Sequence, residues 1–208
     1  MPEPVVTPPC APGWYGKIPS LGDFASRRLP DDFIHAWDGW LQHGMACARA
    51  ELGAQWMAVY LVAPVRRFWV AAGLLGEAGW AGLFLPSVDR VGRHFPFTIA
   101  TPMVQPSGGL ATALAAHNWF AATDAVARQV LDVDFTIDDL ERRLAQLAPL
   151  DACVGDAAAA QALAESLPLA GDDASVWWCG DALVPEQFVC ADGLPPAQSF
   201  AALLVQEA

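Results

Sequence analysis

Four short apolar segments between residues 57 and 101 constrain the fold of this chain more than any other feature. Each is bounded by proline, glycine or charged residues, and successive segments lie about a dozen residues apart. The segments are Met57–Val62, Phe68–Leu75, Ala81–Pro86 and Phe95–Thr101. The connections between them are too short for the helical crossovers that parallel strands require. The pattern therefore predicts a meander of antiparallel strands.

Helical patterns lie on both sides of this strand region. In the stretch Pro30–Leu52, the proline suits a first turn, the next two residues are aspartates that complement the helix dipole, and Gly53 provides a stop. The later predicted elements are helices over Leu110–Leu131, after a capping box at Thr136, over Ala157–Leu167 and over Ser199–Val205, and a strand over Ser175–Cys179. This order predicts an α+β fold, an α/β sandwich whose central, mainly antiparallel sheet is flanked by helices on both faces.

Two segments rich in glycine, proline and aromatic residues interrupt these patterns. They are Gly13–Phe24 and Pro86–Phe97. Glycine permits positive φ and proline fixes φ, so such segments form loops of defined shape rather than helices or plain strands. Their aromatic residues can pin a loop to a core while the charged groups face outward. We therefore predict two loops of defined shape that expose charged groups and belong to one region of the protein.

The motifs in these segments resemble the TagF family of type VI secretion-associated proteins, also called the ImpM family. The first motif, Gly13–Phe24, is followed in order by Trp37–Leu41, Trp80–Pro96 and Ser175–Trp178, each similar to a family motif. Motifs in the same order over most of the chain are far more specific than any one of them. The resemblance also implies a longin- or profilin-like arrangement of sheet and helices.

The resemblance implies a function as well. It indicates a cytoplasmic accessory protein of the type VI secretion system, a regulator that acts after translation to restrain assembly or firing of the apparatus. The implied partner is a forkhead-associated-domain scaffold of that machine. Two alternatives of other classes stay open, a structural subunit that remains in the assembled apparatus and a hydrolase.

Length and hydropathy favour one globular domain without a membrane anchor. A chain of 208 residues buries about 70% of its unfolded surface and most often forms a single domain. We expect a disordered, proline-rich tail over residues 1–12 and one domain over residues 13–208. No apolar run approaches the roughly 20 residues of a spanning helix, and the N-terminus lacks the basic and apolar regions of a signal peptide. The protein is therefore expected in the cytoplasm, without membrane insertion.

The distribution of charge excludes two classes of partner. The net charge is −12, and residues 105–208 hold fifteen acidic against three basic side chains, whereas residues 1–104 hold eight of each. Such a protein repels phosphate backbones and anionic lipid headgroups, so neither nucleic acid nor a membrane surface is an expected partner. The acidic half is either a solvated surface that keeps the protein soluble or a docking face for a basic partner.

The sequence contains no motif or residue spacing that is typical of catalysis or metal binding. The five cysteines include no C-x-x-C pair, and the four histidines lack metal-ligand spacing. Ser20, Ser26 and Ser87 stand near charged residues, and His94 could serve as a base. No G-x-S-x-G elbow surrounds any serine, however, and no phosphate- or dinucleotide-binding motif occurs. We therefore expect no metal, no cofactor and no enzyme activity.

Charged residues in and just after the two loop segments form the candidate partner-binding site. It comprises Lys17, Asp23, Arg27, Arg28, Asp89, Arg90 and Arg93. The same residues could instead bridge the loops to one another, and both roles can coexist. We expect the two aspartates and Arg93 to be structural, and the other three arginines to be more exposed. Lys17, the only lysine beside ten arginines, suits a compact ammonium paired with a carboxylate.

Overall fold

A seven-stranded antiparallel sheet forms the centre of the fold within the part of the chain that the structure describes. The computed structural model describes residues 11–103, 109–169, 171–180 and 188–205. The strands are Gly13–Gly16 (β1), Ala25–Arg27 (β2), Arg66–Val70 (β3), Gly79–Leu85 (β4), Phe97–Met103 (β5), Ala174–Trp178 (β6) and Val189–Asp192 (β7). Their spatial order is β2-β1-β5-β4-β3-β6-β7, with every neighbouring pair antiparallel. The expected antiparallel sheet is confirmed.

Helices cover both faces of this sheet. They are Asp31–Leu52 (α1), Trp56–Leu61 (α2), Gly109–Ala115 (α3), His117–Gln129 (α4), Ile137–Leu144 (α5), Ala157–Ser166 (α6) and Phe200–Leu204 (α7). One face packs against α1 and α7, and the other against α3, α4, α5 and α6. Successive residues of β4 show the division, because Phe84 joins the first core whereas Leu83 and Leu85 join the second. The α+β sandwich is confirmed.

The strands β3, β4 and β5 form a meander from three of the four predicted segments. The register places Phe68 opposite Gly82 and Gly82 opposite Ala100. A Cβ on Gly82 would overlap the carbonyl oxygen of Ile99 and the Phe68 ring. Glycine is therefore required at the centre of the sheet, because its neighbours already fill the space that a side chain would need.

The long helix α1 carries the largest aromatic core. It begins directly after Pro30, which has extended backbone angles, and it ends at Gly53, whose φ is 49°. Trp37 is fully buried and donates from Nε1 to the Thr98 hydroxyl at 2.9 Å. Its ring also packs against Phe68 at 4.7 Å between centroids. The predicted helix is confirmed, and its buried stripe fixes α1 across the middle of the sheet.

The segment Met57–Val62 does not form the predicted strand. It forms the helix α2, in which Trp56 and Tyr60, four residues apart, are buried, while Met57 and Leu61 are 43% and 57% exposed. A short run that is apolar at every position fits both periods, and length alone favoured a strand. The strand prediction was wrong because the buried residues lie four positions apart, as on one face of a helix, rather than two positions apart, as on one face of a strand.

Two further predictions need a correction of their boundaries. The segment Gly13–Phe24 is not loop throughout, because its first four residues form β1 and pair with both β2 and β5. The predicted helix Leu110–Leu131 is two helices that meet at Ala116. The Ala115 carbonyl accepts from the Gly155 backbone N–H at 2.9 Å, a contact from a distant segment that competes with helical bonding.

The predicted α6, β6 and α7 are confirmed within one residue at each end. The ends of β4 and β5 lie within two residues of the predicted ones, whereas β3 ends at Val70, five residues before the predicted end. Helix α5 begins with the predicted capping box, in which the Thr136 hydroxyl accepts from the Asp139 N–H at 3.1 Å and the Asp139 carboxylate accepts from the Thr136 N–H at 3.2 Å. Hydrogen bonds from Thr136 and Arg142 lower the pKa of Asp139 to about 2.

The predicted tail over residues 1–12 lies outside the described residues except for its last two. The Pro12 carbonyl accepts from Arg28 Nε at 3.1 Å. Among the described residues, no helix combines the length and the apolar character needed to span a membrane.

Two glycines of α1 provide a matched test of this packing. A Cβ on Gly44 would overlap the buried Phe200 ring, whereas a Cβ on Gly39 meets nothing within 4 Å. We expect Gly39→Ala to stabilise the protein by about 0.5–1 kcal/mol, because alanine loses less backbone entropy in a helix. Gly44→Ala should cost about 1–2 kcal/mol, since overpacking exceeds that gain. Urea unfolding checks both, and equal effects at the two sites would contradict the packing of α7 on α1.

Candidate partner-binding site

The two motif loops lie side by side at one end of the sheet. We call residues 17–24 the first loop and residues 86–96 the second loop; they leave β1 and enter β5, and these strands pair at Gly16 and Phe97. The Arg90 backbone N–H donates to the Leu21 carbonyl at 2.8 Å, and the Ser87 hydroxyl donates to the Lys17 carbonyl at 2.7 Å. The two segments are partners, as their shared composition predicted.

A buried carboxylate joins the two loops. Asp89 is 2% exposed, and its Oδ2 accepts from Lys17 Nζ at 2.8 Å and from Arg93 Nε at 2.6 Å. The other oxygen, Oδ1, accepts from the backbone N–H groups of Val91 and Arg93 at 3.0 and 2.9 Å. Burial alone would raise the pKa of Asp89, but these hydrogen bonds outweigh it and hold the pKa well below its usual range.

Aromatic side chains fix the base of the same loops. The Tyr60 hydroxyl donates to the Ser87 carbonyl at 2.9 Å and accepts from the Ser87 N–H at 3.0 Å. Burial raises the pKa of Tyr60 well above its usual value, so the phenol stays neutral and keeps both bonds. On the first loop, Phe24 stacks on Tyr15, and Lys17 Nζ lies 4.8 Å from the Phe24 ring centroid.

A second anchor holds the end of β2 against α5. The guanidinium of Arg28 donates to Glu141 Oε2 at 2.5 Å and to Oε1 at 2.9 Å, and Trp14 Nε1 donates to Oε1 at 2.7 Å. Hydrogen bonding from Arg28 lowers the pKa of Glu141. The Arg28 backbone has φ of 60°, a left-handed conformation that these side-chain bonds retain.

The structure therefore divides the seven candidate residues differently from the sequence-based expectation. Asp89 is structural as expected, and Lys17 is buried with it. Arg93 is structural as expected, since its Nε donates to Asp89 and its Nη2 donates to the Gly22 carbonyl at 2.6 Å, but its side chain is also 56% exposed. Asp23 was expected to be structural as well; its side chain is 82% exposed and lies 3.9 Å from Arg93. Arg28 is exposed as a residue, as expected, but its side chain is only 26% exposed because the guanidinium is bound to Glu141. No sequence signal identified Glu141, which lies 113 residues further along the chain.

The charges that remain accessible are Arg27, Arg90 and Arg93. The Arg27 side chain is 52% exposed and lies 3.8 Å from Glu141, a long and solvated ion pair. Arg90 is exposed, and its side chain forms no ion pair with any residue that the structure describes. Two apolar side chains accompany these arginines, since Phe24 is 41% and Val91 67% exposed. We call these five residues the arginine face.

The same region lacks an arrangement for catalysis in the described part of the chain. The Ser87 hydroxyl is buried and donates to a carbonyl, so it has no base beside it. The His94 ring packs edge-on against Tyr60 at 5.5 Å between centroids. No group of three histidine, cysteine or acidic residues within residues 11–103, 109–169, 171–180 and 188–205 could hold a metal ion.

Comparisons with known proteins agree with the fold and with the motif loops. Residues 13–147 match the family model of the TagF N-terminal domain, described as type VI secretion system-associated. The crystal structure of PA0076 from Pseudomonas aeruginosa PAO1 is similar to this chain with a TM-score of 0.75 and 34% sequence identity, over 95% of each chain. No curated protein sequence matches the chain.

The buried pair predicts a difference in stability between two substitutions. Lys17→Met removes the buried ammonium and should cost about 3 kcal/mol, a fall of roughly 6–12 °C in Tm, because it leaves Asp89 short of a buried partner. Arg93→Ala should cost about 1 kcal/mol or less, because that guanidinium is half exposed and Lys17 remains. Thermal melts of both variants test the order, and a larger loss for Arg93→Ala would show that Lys17 is not the principal partner.

The lowered pKa of Asp89 predicts how stability changes with pH. The unfolded state binds a proton near pH 4, whereas the folded state keeps the carboxylate ionised to lower pH. The stabilisation is therefore complete above about pH 4 and is lost as the pH falls through the folded pKa. In urea unfolding between pH 2 and 6, Asp89→Asn should flatten this rise of stability with pH. An unchanged slope in Asp89→Asn would show that this carboxylate is not the group responsible for the rise.

Proposed function

The chain belongs to the TagF family of type VI secretion system-associated proteins, and from this premise we propose that it is a cytoplasmic regulator that restrains assembly or firing of the secretion apparatus. It acts by binding another protein rather than by catalysis. Its partner is a forkhead-associated-domain scaffold of the apparatus, which the protein engages through the arginine face.

The observation that carries this proposal is that Arg90 exposes its side chain from a loop whose backbone is hydrogen-bonded in place. Its backbone N–H is held by the Leu21 carbonyl, one residue after the buried Asp89, while its side chain has no ion-pair partner among the described residues. A loop held in one conformation loses little entropy when a partner binds it. An arginine in such a loop can bind a carboxylate in a bidentate fashion at low cost.

The composition of the arginine face supports a protein partner. Phe24 and Val91 provide apolar area, and the arginines around them provide charge. Interfaces between proteins are enriched in aromatic residues and arginine, with the apolar residues in the centre and the charges near the rim. The rest of the protein is acidic, so it repels acidic proteins wherever they approach from another side.

A double substitution tests this face without touching the anchors. Arg27→Gln combined with Arg90→Glu removes one solvated pair and reverses one free charge, so the Tm should change by less than about 2 °C. Binding to the purified forkhead-associated scaffold should weaken at least about tenfold. In a host whose type VI secretion this protein restrains, the double variant should secrete as much tube protein as a strain that lacks the protein.

The matched control carries the same changes on α5. Arg142→Gln combined with Arg143→Glu also removes one exposed ion pair and reverses an exposed arginine, at two positions outside the arginine face that follow Glu141. It should bind and repress like the natural protein. If a folded Arg27→Gln, Arg90→Glu variant still represses secretion like the natural protein, the arginine face is not the binding site. If the control variant loses binding to the same extent, the effect comes from net charge and not from this face.

A further inference from the structure

A groove lies at the end of the sheet opposite the motif loops. Strand β4 runs from Gly79, which lines the groove, to Leu85, which leads into the second loop. Seven residues of extended strand separate the two sites by about 20 Å. The groove has a volume of about 780 Å³, within the range of sites that take a small ligand or a few side chains of a peptide.

Large apolar side chains form the walls of the groove. Trp69 comes from β3, Met103 from β5, Leu110 from α3, and Leu169 from the segment after α6. All four are partly or fully buried. A Cβ on Gly109 would lie 3.1 Å from the Trp69 indole nitrogen, so glycine lets α3 begin close beside that ring. The groove thus brings an aromatic surface from the sheet together with aliphatic groups from the helices.

Three carboxylates surround these apolar walls. Glu77, Asp172 and Asp173 line the groove, and all three are exposed. No lysine, arginine or histidine is among the described residues that line it, and none of the three carboxylates forms an ion pair within the described part of the chain. Three like charges at one mouth create a strong local attraction for a cation.

Three acidic residues of the second half are neutralised by an arginine, whereas, among the described residues, the carboxylates of the groove are not. Asp124 pairs with Arg128 at 2.6 Å, Asp139 pairs with an arginine one helical turn later, and Glu141 binds Arg28. All three basic residues of residues 105–208 lie on α4 and α5. Other exposed carboxylates, among them Asp132, Asp134 and Asp156, also lack an ion pair within the described residues. The groove differs from them because its three unpaired carboxylates border an apolar wall.

We propose that this groove binds a basic segment of a partner protein. An arginine or lysine of that segment lies against the Trp69 ring and between the three carboxylates, while a neighbouring apolar side chain packs against Met103, Leu110 and Leu169. A cation over an indole and beside carboxylates gains from both interactions, and the gain is larger for a guanidinium, which binds carboxylates in a bidentate fashion. This site is separate from the arginine face and takes a partner of opposite charge.

A peptide of defined sequence tests the proposal on the full chain. The probe is the fluorescein-labelled peptide Leu-Arg-Leu-Arg-Arg-Leu, measured by fluorescence anisotropy, beside the acidic peptide Leu-Glu-Leu-Glu-Glu-Leu. The natural protein should bind the basic peptide and not the acidic one. Asp172→Lys combined with Asp173→Lys should weaken that binding at least about tenfold.

A control variant separates the groove from the overall negative charge. Asp132→Lys combined with Asp134→Lys changes two exposed aspartates on the turn between α4 and α5, with the same change in net charge. It should alter peptide binding less than about twofold. Equal weakening by the two double variants would overturn the proposal, because the attraction would then come from net charge.

Two further measurements address a double variant that does not fold and a groove that is filled by a second copy of the chain. Glu77→Lys, in the exposed turn before β4, should weaken binding of the basic peptide even if the double groove variant fails to fold, whereas Asp132→Lys alone should not. Light scattering tests the remaining occupant, a second copy of this chain. A dimer that dissociates in the Glu77→Lys variant would assign the groove to self-association and overturn the proposal.

Discussion

The structure of the two motif loops depends on the interactions of the buried Asp89 carboxylate. A buried anion is costly unless charges and hydrogen bonds compensate it, and here the donors come from Lys17 on the first loop and from Val91 and Arg93 on the second. Since one carboxylate requires donors from both loops, satisfying it fixes the position of each loop relative to the other. The glycines and prolines of both segments then serve to bring backbone and side-chain donors within reach of a single group.

This fixed geometry explains how one region can be both structural and functional. The groups that hold the loops together point inward, whereas Arg27 and Arg90 extend from the same framework into solvent. Arg93 belongs to both sets, because its Nε binds Asp89 while its side chain is half exposed. A substitution at Arg90 therefore tests the proposed binding without altering the buried anchor, whereas a substitution at Arg93 alters both. Under the proposed function, such a face presents its contact residues without having to order them when a partner binds.

The sequence predicted most of the fold because its signals are local. Short apolar segments with short connections specify an antiparallel meander, and caps such as Thr136 mark where helices begin. It failed at Met57–Val62, where an uninterrupted apolar run suits either period and only packing decides. Within the candidate site, the pairing of Lys17 with a carboxylate could be anticipated from composition. The pairing of Arg28 with Glu141 could not, because the helix that carries Glu141 reaches β2 only through the tertiary fold.

The opposite ends of β4 carry surfaces of opposite charge, the arginine face beside the second loop and the carboxylates of the groove. Screening limits the reach of exposed charges to about 8 Å at physiological ionic strength, well below the distance of about 20 Å between the groove and the second loop. The carboxylates around Trp69 therefore do not weaken the attraction of Arg90 for an acidic surface, and Arg90 does not repel a basic segment from the groove. The two proposals are therefore compatible, because each surface would select its partner by the charges within its own reach, and an acidic and a basic partner would not compete electrostatically for one small domain.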